Sequence, residues 1–127
     1  MKLLIDTHVL LWSLAEPERL DAEAQRILAD PHNEVLVSIV CLWEIALKKR
    51  IGKLQAEIGL IVEGIEEQGF GRLAIEDRHL ETLLGLPSRH RDPFDHLLIA
   101  QAITEEAAFV TGDRLAALYP VQVIAAE

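Results

Sequence analysis

Lys2-Leu3-Leu4-Ile5-Asp6-Thr7-His8-Val9-Leu10-Leu11-Trp12 is the stretch that decides the fold. A short β-favouring apolar run over 2–5 stops at Asp6, and the apolar-rich segment that follows over 9–12 predicts a helix. A strand therefore feeds a helix at the start of the chain. In open α/β sheets, ligands bind outside the carboxyl ends of the strands, near the point where strand order reverses. Asp6 stands at such an end.

Working outward, the same alternation repeats. A helix is expected over 20–29, where Leu20, Ala24, Ile27 and Leu28 share a face, and it ends before Asp30-Pro31. A second strand follows over 34–37. Ser38 then serves as N-cap for a helix over 39–50 that Gly52 closes. Ile58, Ile61, Val62 and Ile65 mark a further helix, weakened by Gly59 and Gly64, with Gly69 and Gly71 punctuating its end. A third strand is expected over 73–75, a short helix over 76–84, and a loop over 87–92. Asp92-Pro93 supplies a cap and a first-position proline for a helix over 93–105, whose Leu97-Leu98-Ile99-Ala100 predicts burial. A fourth strand over 107–110, a turn and short helix over 111–119 and a last strand over 121–124 complete the chain. Strands alternating with helices define a three-layer α/β/α domain on a parallel sheet.

The 127 residues, 50% of them hydrophobic, make one domain over 1–127 with a core that needs no disulfide or structural metal. Cys41 is the single cysteine, and its apolar neighbours predict an inert buried thiol; a reducing cytoplasm fits. The first apolar run is too short for a signal peptide, and the longest, 35–43, is far below the roughly 20 residues of a membrane span. A soluble protein is expected. The formal net charge of −9 argues at first against nucleic acid, because phosphate binding draws on Lys and Arg. Basic residues nonetheless cluster at Lys48, Lys49, Arg50 and Lys53, and again at Arg89, His90 and Arg91. Taken singly, each cluster has an ordinary explanation as a solvated helix face or polar loop.

Four acids fall where a strand ends or a helix has just begun: Asp6, Glu44, Asp95 and Asp113. Asp6 and Asp113 follow strands one and four, which flank the crevice if the order is 3-2-1-4-5. Helical side chains lean toward the N-terminus, so Glu44 can face the same strand ends. Asp95 lies in the first turn after Pro93. Converged carboxylates need a cation, and hard Mg²⁺ or Mn²⁺ accepts oxygen ligands while keeping several waters. Each acid also has a local explanation: a turn for Asp6, the helix dipole for Asp95, a helix start for Asp113. Thr7, Ser38 and Thr111 beside them are caps, or orient a carboxylate. His8, His32, His79, His90 and His96 show no metal-ligand spacing and read as surface or cap residues. Trp12 and Trp43 read as core or interface anchors.

These segments, together with Ser38 followed by Leu42-Trp43-Glu44-Ile45-Ala46-Leu47-Lys48, the Gly52-Lys53-Leu54 turn, His90-Arg91-Asp92-Pro93-Phe94-Asp95-His96 and Thr111-Gly112-Asp113, resemble the PIN-domain family, in particular its VapC-type toxins. The resemblance covers nearly the whole chain in order, and Asp92-Pro93-Phe94-Asp95 is its most specific part. It implies a sheet ordered 3-2-1-4-5, a Mg²⁺- or Mn²⁺-dependent endoribonuclease acting through metal-activated water, homodimers, and neutralisation by a cognate antitoxin protein. It further implies that Asp6, Glu44, Asp95 and Asp113 bind the metal, Asp6 and Asp95 centrally. Lys48, Lys49, Arg50, Arg89 and Arg91 would then guide the RNA backbone. His96 departs from the family, standing where Arg is frequent. The alternatives are a catalytically silent RNA- or protein-binding PIN domain, which the acidic surface would suit, and a receiver-like phosphoacceptor. The latter fits poorly, since strand one ends in one acid and no Lys follows the last strand.

Overall fold

The computed structural model describes residues 1–88 and 92–127; the expected backbone contacts Arg89 and Arg91, with His90, lie outside the described residues. The elements are β1 (Lys2–Ile5), α1 (Thr7–Ala15), α2 (Ala22–Ala29), β2 (Glu34–Ser38), α3 (Ile39–Arg50), α4 (Ile58–Glu67), β3 (Gly71–Leu73), α5 (Asp77–Leu84), α6 (Pro93–Thr104), β4 (Ala108–Thr111) and β5 (Val123–Ala125). Short 3₁₀ turns cover Pro17–Arg19 and Arg114–Leu118. The sheet is ordered β3-β2-β1-β4-β5 with every pair parallel, as the sequence led us to expect. Travel runs outward from β1 to β3, then reverses to β4. With the right-handed crossovers that parallel strands take as a rule, this order puts the β1–β2 and β2–β3 connections on one face and β3–β4 on the other, giving three layers.

Central strands covered on both faces read as continuous apolar runs. Accordingly Leu3, Leu4 and Ile5 are fully buried, and Val37 and Val110 with them. Helix α6 is buried over six consecutive residues from Leu97 to Ala102, because it packs against α3, α5, β1 and β4 together. Gly64 has a packing reason: a Cβ there would come within 3.0 Å of the Leu14 side chain, so its absence lets α4 close on α1.

Element boundaries moved where caps or close approaches decided them. Helix α1 begins at Thr7 because the Asp6 side chain accepts from Val9 N at 2.8 Å. Helix α2 begins at Ala22, with Asp21 as its cap, instead of at Leu20. Strand β3 lies two residues earlier than expected. Gly71, which looked like punctuation, is its first residue, opposite Leu36, where a Cβ would meet the Leu36 side chain at 2.9 Å. Strand β5 starts at Val123, because Val121 N is taken by Tyr119 O in a turn. Strand β4 extends through Thr111. Among the described residues no helix is long and apolar enough to cross a membrane.

Candidate active site

At the carboxyl ends of β1 and β4 the chain leaves a cleft of about 390 Å³. Asp6, Glu44, Asp95 and Asp113 all line it, although they come from four separate segments. Asp6 is the N-cap of α1 and is buried. Its Oδ1 accepts from Val9 N, and its Oδ2 accepts from the Thr111 hydroxyl at 2.5 Å, across 105 residues of sequence. Burial raises the Asp6 carboxyl above its ordinary range; the Thr111 and Val9 hydrogen bonds oppose this, and the nearby Glu44 charge reinforces it.

Glu44 is only 2% exposed, in the middle of α3. Its Oε1 accepts from the Thr7 hydroxyl at 2.5 Å, and its Oε2 from the Lys48 ammonium one helical turn on, also at 2.5 Å. That bond raises the Lys48 pKa, with smaller contributions from the charges of Asp92 and Asp95. Asp95 lies in the first turn of α6, whose cap is Asp92: Asp92 Oδ1 accepts from Phe94 N at 2.9 Å and from Asp95 N at 3.3 Å. Asp113 caps the turn after β4 by accepting from Leu115 N, and its own N donates to the Thr111 hydroxyl. Thr111 thus ties two of the acids together.

Of the supporting residues, Thr7 and Thr111 meet the acids directly. Ser38 does not: it caps α3 at Val40 N and donates to Gln101 Oε1 at 2.5 Å, fastening α3 to α6. The basic cluster divides. Lys48 turns onto Glu44, Lys49 pairs with the exposed Glu57 at 3.2 Å, and Arg50 faces solvent. His96 reaches Tyr119 Oη through Nε2 at 2.7 Å.

Beside the four acids, the cleft is lined by Thr7 and Gly112 and by Asp92, Glu127, His8 and Trp12. Asp92 was legible as a cap, and the same residue also lines the cleft. Glu127 arrives beside Gly112 because β5 pairs with β4 through Thr111 and Ala125. His8 and Trp12 are one turn apart on α1, their rings 5.8 Å apart, and Arg19 lies over Trp12 at 4.8 Å. That spacing was the available signal. Trp12 therefore belongs to the cleft wall, whereas Trp43 is exposed and meets Phe94 edge-on.

The acids of the cleft offer oxygen ligands, which suit a hard divalent cation. Cys41 contributes no soft ligand: it is buried, and burial pushes its thiol up to about 12. Among the described residues, no three of the cleft carboxylates have oxygens within 4.8 Å of one another. Mg²⁺ is usually held by one or two carboxylates while keeping several waters, and the cleft acids would supply such ligands.

A tighter group does exist at the opposite end of the sheet. Glu76, His79 and Glu105 bring their ligand atoms within 4.8 Å. His79 is fully buried at the third position of α5, its Nδ1 accepting from Glu76 N at 3.0 Å and its Nε2 facing Glu105 Oε2 at 2.9 Å. Arg78 bridges the carboxylates of Glu76 and Glu105, and Lys2 stands 3.9 Å from the latter. This group holds its own cations.

Comparison with known proteins agrees with the geometry. The PIN domain family matches residues 3–119. Ribonuclease VapC22 of Mycobacterium tuberculosis is 30% identical over 114 residues, covering 87% of this chain and 86% of its own length. Among solved structures, VapBC2 from Rickettsia felis bound to a DNA fragment from their promoter superposes with a TM-score of 0.77 at 14% identity, over 100% of both chains. VapBC-5 from Mycobacterium tuberculosis, a member of the VapBC family of toxin-antitoxin systems, does so with 0.63 at 20% identity over 98% of each. The chain belongs to the PIN-domain family, in its VapC-type group.

Proposed function

We propose that this chain, acting as one domain over 1–127, is a Mg²⁺- or Mn²⁺-dependent endoribonuclease and the toxin of a toxin–antitoxin pair. The observation that carries this is the cleft itself: carboxylates from α1, α3, α6 and the β4 end, facing one another at the strand ends of a PIN fold. Asp6 and Asp95 hold the ion, with Glu44 and Asp113 completing its surroundings. When bound, a divalent ion supplies a more acidic water and neutralises charge at the phosphate. The chain's own part is positional. Thr111 and Val9 N fix both oxygens of Asp6, and Thr7 fixes Glu44, so the acids need little reorganisation to meet the ion.

Lys49 and Arg50 at the end of α3, and Arg89 and Arg91 by sequence alone, guide the RNA backbone toward the cleft. The structural relatives that are VapBC assemblies support a cognate antitoxin as partner. Ile39, Trp43, Leu47 and Ile51 are exposed at four-residue spacing along α3, which supports a homodimer. The deciding experiment is sequencing of RNA 5′ ends after brief induction of the wild type and of Asp95→Asn. Cleavage sites present only in the wild type are expected. An Asp95→Asn chain that still cuts at the same sites would sink the assignment, and a wild type that leaves no new ends with Mn²⁺ supplied would favour the catalytically silent alternative.

A further inference from the structure

The cleft acids are not held alike. Asp6 is held by neutral donors, a hydroxyl and a backbone N–H, which fix its oxygens without cancelling its charge. Glu44 is equally buried, but one of its two oxygens carries an ammonium. Lys48 reaches it at 2.5 Å from the next turn of α3, with its own side chain 37% exposed and within the influence of the Asp92 and Asp95 charges. The Glu-to-Lys spacing of four is the favourable orientation on a helix, so the contact is intrahelical and assembles as soon as α3 does. The other oxygen accepts from Thr7. A divalent ion coordinated by Glu44 would have to share it with a fixed positive charge.

We infer that Lys48 is a built-in counter-cation of the cleft, standing on Glu44 where a second divalent ion would sit, so that the cleft loads one ion instead of two. Lys48 is thus a positioning residue: it acts through Glu44, whose second oxygen it occupies. This rests on the metal-site assignment proposed above. It also moves Lys48 from the set of RNA contacts to the metal site. The physical content is simple. A tethered monovalent cation neutralises the α3 side of the cleft permanently, leaving the Asp6 side as the place where mobile divalent charge is taken up.

The test counts ions on the purified full chain without RNA, by calorimetric titration with Mn²⁺ and by the electron paramagnetic resonance signal of unbound Mn²⁺. Wild type and Lys48→Arg are expected to bind one Mn²⁺ per chain. Lys48→Met, which keeps the apolar stem and removes the charge, is expected to bind two, and Lys48→Met/Glu44→Gln to return to one. Melting curves establish that each variant is folded, and Lys48→Gln replaces Lys48→Met if the latter is not. A wild type that already binds two ions, a Lys48→Met chain that still binds one, or a double variant that keeps two overturns the inference while sparing the metal site. A wild type that binds no Mn²⁺ overturns the metal-site assignment itself.

Discussion

Two groups of acids lie at opposite ends of the sheet, and they behave differently. Glu76, His79 and Glu105 are the more compact, with ligand atoms inside 4.8 Å. Arg78 nevertheless spans both carboxylates, and His79 fills the space between backbone and Glu105. The cleft acids are looser, yet Asp6 is satisfied by neutral donors that leave its charge intact. On the proposed assignment, proximity of carboxylates does not by itself mark the metal site. What matters is whether the chain answers them with its own cations.

The largest expected separation between the two ends is in catalysis. Asp95→Asn should lower metal-dependent RNA cleavage on the order of 10³-fold, the scale of a lost metal contribution, whereas Glu105→Gln should leave the rate of the folded protein unchanged. Metal-induced stabilisation gives the next contrast. Mn²⁺ at 100 times its dissociation constant should stabilise the wild type and Glu105→Gln by about 2.7 kcal/mol, read as a rise in melting temperature that Asp6→Asn lacks. A rise that persists in Asp6→Asn and vanishes in Glu105→Gln would reverse the assignment of the two ends. Without metal, Glu105→Gln should be less stable by about 1–2 kcal/mol in denaturant titration, since it weakens bonds to Arg78 and His79.

Smaller effects sharpen the picture. Cleavage should fall as salt rises, and Lys49→Ala or Arg50→Ala should each reduce the logarithmic salt slope by about 0.7 if it contacts a single-strand phosphate; an unaltered slope removes that role. Finally, the Asp6 carboxyl is raised by burial, so the folded protein binds that proton more readily than the unfolded chain. Its contribution favours folding at low pH and is lost as pH rises through the raised value. Asp6→Asn should accordingly melt a few degrees higher than the wild type at pH 8 in chelator, with the gap closing on acidification.

Much of this was legible in the chain. Apolar runs ended by Asp6 and by Thr111-Gly112-Asp113 mark the strand ends, and the Ser38 and Asp92 caps place α3 and α6, so the strand order and the four acids follow from local pattern and family resemblance. Boundaries failed where tertiary contact decided them: Gly71 reads as a break but is a strand residue pressed against Leu36. Cleft membership of Asp92 and Glu127 was hidden because a cap role already accounts for the first and because strand register, which places the second, is not written in the residues. Lys48 shows how one residue carries two signals. Its three-residue basic run suggested a phosphate patch, while the pairing signal, Glu44 four residues earlier, was equally present.

The bond from Thr111 to Asp6 joins the end of the fourth strand to that of the first, and Glu127 enters the cleft only after the fifth. The residue that aims Asp6 therefore lies 105 positions away along the chain, and the two meet only when β1 and β4 pair. A chain in which β4 has not docked carries Asp6, Glu44 and Asp95 without the cleft that orients them. Whatever chemistry the cleft performs is withheld until the sheet has closed on both sides of β1.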